Sequence, residues 1–131
     1  MEELKIGLRN EIESQSTKET TALELKSGTL KVLATPAMIC LMEQAAAELV
    51  EKNLSENLTS VGISINIAHK SPTPIGLKIS AEAEITKIEG KKIYFAVKAY
   101  DEVNEIGSGT HERYIVEKEK FQSKADSKIK K

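Results

Sequence analysis

Apolar and polar residues repeat with two different periods along this chain, and the first is helical. Residues 37–47 are apolar except for Glu43 and Gln44, and the Leu, Met and Ala residues that dominate this stretch favour helix. Thr35 followed by Pro36 is typical of a helix start, with Thr35 as the expected N-cap. The pattern predicts one long helix over residues 36–53 with most of its sides buried.

Beyond this helix the period changes to two, which is typical of half-buried strands. Alternation predicts strands over residues 61–68, 77–85, 93–99 and 105–116, with turns near residues 89–91 and 101–104. Residues 6–25, where apolar positions are scattered, suggest one or two short or edge strands. A buried helix before hairpin-connected strands gives an α+β class. We expect a hotdog fold, in which a curved antiparallel sheet wraps around one long central helix.

Length and composition fit a single unit. The chain has 131 residues, enough for one domain with a real core, and no internal repeat or mid-chain linker is visible. We expect this domain to cover residues 1–123. Residues 124–131 are basic and poor in apolar residues, so we expect them to form a disordered, solvated tail.

The charge balance and the single cysteine restrict the classes of partner and location. With 19 basic and 20 acidic residues, the chain has no overall charge that would favour nucleic acid. No segment approaches the length of a membrane span, and the N-terminus lacks the apolar run of a signal peptide. Cys40 cannot form an internal disulfide, and its apolar surroundings indicate a core position. These features favour a cytoplasmic location.

Glu43 and His69 are the first candidates for chemistry. A carboxylate within an apolar helix is costly to bury unless it is paired, and such groups concentrate at functional sites. The alternative is that Glu43 lies on a narrow solvent stripe beside Gln44. His69 ends a predicted strand before a proline-rich connection, where a general base would be well placed; the alternative is an ordinary exposed loop histidine.

Other polar positions carry less information. Two isolated histidines and one cysteine form no metal-ligand cluster at the usual spacings, so we expect no metal. His111 is interpreted as an alternating strand residue without a role. Gly107 and Gly109 are not followed by the helix that a phosphate loop needs; they indicate a bulge or a close approach of another backbone or a ligand.

Several segments in a fixed order resemble one known family. They are ATPAMICLME at residues 34–43, Gly62, AHKSPTPIGL at 68–77, DEVNEIGSGTHER at 101–113, and KF at 120–121. Together they are similar to the fluoroacetyl-CoA thioesterase-like family, from about residue 32 to residue 121.

This resemblance implies a hotdog homodimer with active sites near the subunit interface, and hotdog dimers often pair again into tetramers. It implies hydrolysis of a small acyl-CoA thioester to the free acid and CoA, with no cofactor beyond the CoA of the substrate. Thr35, Glu43 and His69 are the implied catalytic residues, and Gly62 and Arg113 the implied substrate-binding residues. Whether Thr35 or Glu43 attacks, or water attacks directly, stays open.

Alternatives remain at this stage. The chain would also suit a non-catalytic hotdog protein that binds an acyl-CoA or a related ligand, and a dehydratase or hydratase ranks below both. Arg113 would also suit a plain ion pair with a Glu. Residues 25–31 contain no aromatic residue that could form an apolar lid, so we expect a short or medium acyl group and assign no preference for a fluorinated one.

Overall fold

The computed structural model describes residues 4–129 as one antiparallel sheet with a long helix across one face. The elements are β1 (Arg9–Gln15), a 3₁₀ turn (Lys18–Thr20), α1 (Ala22–Leu25), α2 (Thr35–Glu51), β2 (Leu58–His69), β3 (Lys78–Glu89), β4 (Lys92–Tyr100), β5 (Glu105–Glu117) and α3 (Lys118–Asp126). The strand order is β1-β3-β4-β5-β2. The α+β hotdog prediction is confirmed.

One face of α2 forms the core with the inner face of the sheet. The buried helix residues follow the helical period: Met38, Leu41, Met42, Ala45, Ala46, Leu49 and Val50. Alternate residues of β3 and β4 meet them: Ile79, Ala81, Ala83, Ile85, Ile93, Phe95, Val97 and Ala99. This packing buries the apolar stripe of the helix against the strand positions of period two.

The start of α2 differs from the prediction in one respect. Ala34 is the N-cap and Thr35 is the first helical residue, with Pro36 behind it in the first turn. Thr35 therefore lies one position beyond the cap, and its hydroxyl is bonded to the ring of His69. The expected capping role of Thr35 is therefore wrong.

The helix is also less completely buried than predicted. Cys40 is exposed, as is Gln44, because the sheet covers only one side of α2. The expectation that Cys40 is a core residue is wrong. Its apolar neighbours misled the interpretation because Ile39 and Ala47 are only partly covered.

The two ends of the chain compare differently with expectation. The edge strand predicted within residues 6–25 is confirmed as β1, which a 3₁₀ turn and the short helix α1 follow. At the other end, residues 124–126 continue helix α3 and are not a disordered tail. The remainder of that predicted tail includes Lys130 and Lys131, which lie outside the described residues. No helix within residues 4–129 is long and apolar enough to cross a membrane.

Two glycines of β5 permit close approaches that the sequence predicted. A Cβ atom on Gly109 would lie 2.0 Å from the Asn66 carbonyl oxygen, and one on Gly107 would lie 2.7 Å from the Met38 side chain. Only glycine lets β5 approach β2 and α2 so closely at these points. At Gly107 the backbone of β5 therefore lies directly against Met38, in the first turn of α2.

Candidate active site

Thr35 and His69 come together from opposite ends of two elements. Thr35 begins α2 and His69 ends β2. The connection after β2 is fixed by backbone pairing, because the Leu33 amide donates to the Thr73 carbonyl at 2.8 Å. The Thr35 Oγ1 and His69 Nδ1 atoms are 2.7 Å apart.

The protonation of His69 determines what this pair can do. Burial lowers the pKa of His69 below its usual 6.5, although the Ser71 backbone partly opposes that shift. The ring is therefore neutral at neutral pH. When the ring proton is on Nε2, Nδ1 is free to accept the Thr35 hydroxyl proton, which is the arrangement that activates a hydroxyl nucleophile. Nε2 is buried and has no hydrogen-bond partner among residues 4–129.

A cavity of about 340 Å³ opens beside this pair. Thr35 and His69 line it, together with Ala22, Ser27, Val32, Leu33, Lys70, Ser71 and Pro72. None of these residues is Phe, Tyr or Trp, in agreement with the lack of an aromatic lid in residues 25–31. The volume lies at the lower end of the range for small-molecule sites.

Glu43 lies in a second group, farther along α2. Its Oε2 atom is 3.9 Å from Arg113 Nη1, and 43% of its side chain is exposed. The carboxylate of Glu43 accepts no hydrogen bond from any residue between 4 and 129. The carboxylate is therefore charge-paired but accessible. It lies toward the solvent side of α2, as the alternative interpretation expected, and it also faces the buried cation Arg113.

Gly62 makes room for this carboxylate. A Cβ atom at Gly62 would lie 2.7 Å from Glu43 Oε2 and 3.4 Å from Arg113 Nη1. The register of β2 against β5 shifts between Gly62 and Ser64, so the glycine stands at a β-bulge. Bulges next to functional sites commonly redirect side chains.

Arg113 is buried, with only 7% of the residue exposed. Its Nε donates to Ser60 Oγ at 2.7 Å, and its Nη2 donates to the Ser60 carbonyl oxygen at 3.0 Å. Burial lowers the pKa of the guanidinium, and the Glu43 and Glu51 carboxylates oppose that shift. The expected ion pair of Arg113 with a Glu is present, with Glu43 as its partner, whereas a contact between Arg113 and a ligand stays a prediction.

The structure therefore arranges the predicted residues as two groups. Thr35 contacts His69, whereas Glu43 contacts Gly62 and Arg113. Along α2, eight residues separate the Cα atoms of Thr35 and Glu43 by about 12 Å, and the glutamate side chain tilts back toward the helix start. A substrate would have to bridge the two groups.

The sequence interpretation missed His111. This residue is 1% exposed, packs its ring on Phe95 at a centroid distance of 5.8 Å, and lies between Ser64 and Arg113. Its position two residues before Arg113 on one strand was the available signal, since residues i and i+2 of a strand share a face. Within residues 4–129, no group of three or more His, Cys, Asp or Glu side chains is placed to hold a metal ion.

Comparisons with known proteins show the family of this chain. Residues 16–119 match the family described as FlK, fluoroacetyl-CoA-specific thioesterase. A fluoroacetyl-CoA thioesterase from Streptantibioticus cattleyicolor is 40% identical over 98 residues, which cover 75% of this chain and 70% of that protein.

Solved structures show the same likeness. A structure of fluoroacetyl-CoA thioesterase FlK is 32% identical with a TM-score of 0.93, covering 98% of this chain and 100% of that one. A mutant of FlK in complex with fluoroacetate and CoA is 33% identical with a TM-score of 0.85, covering 90% and 99%. A thioesterase superfamily member from Thermus thermophilus is 28% identical with a TM-score of 0.86, covering 94% and 91%.

Proposed function

This chain belongs to the fluoroacetyl-CoA-specific thioesterase family and is an acyl-CoA thioester hydrolase; on that basis we propose that Thr35, Glu43 and His69 carry its reaction. The single observation that supports these roles best is the 2.7 Å contact between Thr35 Oγ1 and His69 Nδ1 on the wall of a small cavity. It joins a hydroxyl and a neutral base where an acyl group could enter.

In the proposed first step, the Thr35 oxygen attacks the thioester carbonyl while His69 Nδ1 takes the hydroxyl proton. The C–S bond then breaks, and the CoA sulfur leaves with that proton. In the second step, water attacks the acyl-threonine ester, releases the free acid and restores the Thr35 hydroxyl. Glu43 is the base for that water, because its carboxylate is accessible and accepts no hydrogen bond from residues 4–129.

Arg113 and Gly62 support the Glu43 end of the site. Arg113, whose Nη1 atom lies 3.9 Å from Glu43 Oε2, orients the carboxylate, and Gly62 leaves the space that the carboxylate occupies. A guanidinium next to a developing oxyanion also stabilises it. We therefore propose that Gly62 and Arg113, the expected substrate-binding residues, contribute partly by positioning Glu43.

The substrate is proposed to be a short acyl-CoA. The cavity has a volume of about 340 Å³, and apart from the His69 ring and Lys70 its lining consists of hydroxyl, aliphatic and proline groups. The relatives are named for fluoroacetyl-CoA, but no lining residue of this cavity is specific for fluorine. We therefore propose that the volume of the cavity determines which acyl chains the enzyme accepts.

We also propose that the protein works as a homodimer paired through β2. This strand forms one end of the sheet, and its residues LTSVGISINIAH contain no Lys, Arg, Asp or Glu. The other edge strand, β1, carries Arg9, Glu11 and Glu13. Charged edges resist pairing with another chain and bare edges favour it. A tetramer and a cytoplasmic location stay predictions.

The decisive experiment measures thiol release from a panel of acyl-CoAs from C2 to C16, including fluoroacetyl-CoA. We expect turnover of the short chains by the wild type, and a loss of about a hundredfold or more, roughly 2.7 kcal/mol, for Glu43→Ala and for His69→Ala. Glu48→Ala, another exposed glutamate of α2, is the matched control and should keep its activity.

Two results would contradict the proposal. A folded wild-type protein that binds CoA esters without releasing thiol would be a binding protein. Full activity in either Glu43→Ala or His69→Ala would show that the substituted residue takes no part in the reaction.

A further inference from the structure

We propose that His111 is a positioning residue that holds Arg113 against Glu43 through one fixed tautomer of its ring. The inference rests on the proposed role of Glu43. It begins with the two nitrogen contacts of the buried His111 ring. Nδ1 lies 2.8 Å from the Ser64 carbonyl oxygen, and Nε2 lies 3.2 Å from Arg113 Nη1.

These two contacts determine the tautomer. A carbonyl oxygen only accepts, so Nδ1 must carry the ring proton and donate it to Ser64. An arginine only donates, so Nε2 must present its lone pair to Arg113. Both bonds can form at once only in the neutral Nδ1–H form of His111.

The surroundings of the ring favour that neutral form. Burial and the Arg113 charge lower the pKa of His111, whereas the Ser64 backbone, Glu43 and Glu112 oppose that shift. From β4, the element packed against the ring, the neighbour is the uncharged Phe95. A second proton on the ring would place an N–H against the N–H of Arg113 and break the contact.

The position of Arg113 depends on this contact. Ser60 holds the guanidinium through Nε and Nη2, while Nη1 is held by His111 and faces Glu43. Ser60 and Ser64 lie on either side of the β2 bulge. Two residues of β2 next to the bulge therefore hold Arg113: Ser60 accepts its hydrogen bonds directly, and Ser64 acts through His111.

Two variants separate the hydrogen bond from the shape of the ring. His111→Phe keeps an aromatic ring on Phe95 but offers Arg113 no acceptor, and we expect kcat/KM to fall by about 10- to 100-fold, as for outer-shell partners of other sites. His111→Gln keeps an acceptor that cannot titrate, and its activity should stay within about threefold of the wild type. Equal losses in both variants would overturn the proposal.

A double variant tests whether His111 acts through Arg113. Against an Arg113→Met background, His111→Phe should have no further effect on kcat/KM, because its target is already gone. A further loss as large as in the wild-type background would show that His111 acts elsewhere. Thermal melting of each variant establishes that the comparison is made between folded proteins.

The ring tautomer is measured without turnover. In ¹⁵N NMR of the intact wild-type protein at neutral pH, we expect a proton on His111 Nδ1 and none on Nε2. A proton on Nε2 would overturn the inference even if the enzyme is active. Absence of thioesterase activity, with the Nδ1–H form observed, would contradict the proposed function while leaving the geometry of His111 and Arg113 in place.

Discussion

At the scale of single residues, Thr35 is informative because its place at a helix start offers its hydroxyl two different uses. At a helix start it could cap the backbone, but it contacts His69 and Ala34 is the N-cap. The proposed nucleophile is thus free of a structural task in the helix. Activity and stability should therefore respond differently to its substitution.

We expect Thr35→Val to lower kcat/KM by about a hundredfold or more, whereas Thr35→Ser keeps a hydroxyl and much of the activity. Because no cap bond is lost, the free energy of unfolding of Thr35→Val should stay within about 0.5 kcal/mol of the wild type. Thiol-release kinetics and urea unfolding measure the two quantities. A loss of stability of about 1 kcal/mol, typical of a removed cap, would restore the capping role.

Gly62 gives a second residue-level prediction. In Gly62→Ala the new methyl group would meet Glu43 Oε2 at 2.7 Å, so the carboxylate must move away from Arg113. We expect kcat/KM to fall by about tenfold or more with little change in melting temperature, because the Glu43 side chain can turn toward solvent.

Ser64→Ala is the matched control for that substitution, since Ser64 is exposed beyond the same bulge and its only described hydrogen bond to a side chain uses its carbonyl oxygen. It should leave kcat/KM unchanged. If Gly62→Ala were fully active, Gly62 would not be needed to place Glu43.

The candidate residues could be predicted from sequence only where a local pattern singled them out. Glu43 interrupts an apolar helix and His69 ends an alternating strand, so both stood out as candidates. His111 was missed because its significance depends on a ring, a carbonyl and a guanidinium from β2 and β5 meeting in space. No spacing along the chain reports the bulge that brings them together.

At the scale of elements, the two edges of the sheet have opposite character. β1 is short and charged, whereas β2 is 12 residues long and bare. Ile63, at the β2 bulge, is 50% exposed, an apolar side chain where we propose that a second copy pairs.

We expect Ile63→Lys to weaken dimerisation, because a charge on an edge strand opposes pairing with another chain. Size-exclusion chromatography with light scattering, over a range of protein concentrations, measures the shift toward monomer. Val103→Lys changes an apolar residue that is 79% exposed on the turn between β4 and β5, and it should leave the association unchanged. A wild type that is monomeric at all concentrations would contradict pairing through β2.

The elements themselves were largely predictable, because period two and period 3.6 are local signals. The four long strands extend the predicted ones by a few residues. The prediction that was wrong is the burial of the outer side of α2, where Cys40 is exposed. An apolar helix sequence does not show how many sides of the helix the sheet covers, because coverage depends on the curvature of the whole sheet.

At the scale of the whole molecule, two neutral histidines, the buried His111 and the half-buried His69, link stability to pH. Burial lowers the pKa of both His69 and His111 from 6.5. Below pH 6.5 the unfolded chain therefore binds more protons than the folded one, and the free energy of unfolding falls as the pH falls. The loss ends once the pH is below the folded pKa values.

Urea unfolding between pH 7.5 and 5 measures this loss, which cannot exceed about 1.4 kcal/mol per pH unit for each histidine. His111→Gln should reduce the slope. Asp101 and Glu105 have lowered pKa values, so their contribution is lost only at more acidic pH. A slope unchanged in His111→Gln would mean that His111 is not buried in its neutral form.

The cavity beside Thr35 and His69 has a consequence for how this enzyme can change. Its outer wall is made by Ser27, Lys70 and Pro72, which are exposed residues of connecting segments, while the reacting pair is fixed by α2 and β2. Substitutions in that wall alter the space for the acyl group without touching the core that holds the fold together. Substrate range can therefore diversify in this protein at little cost in stability, by mutation of a few loop positions.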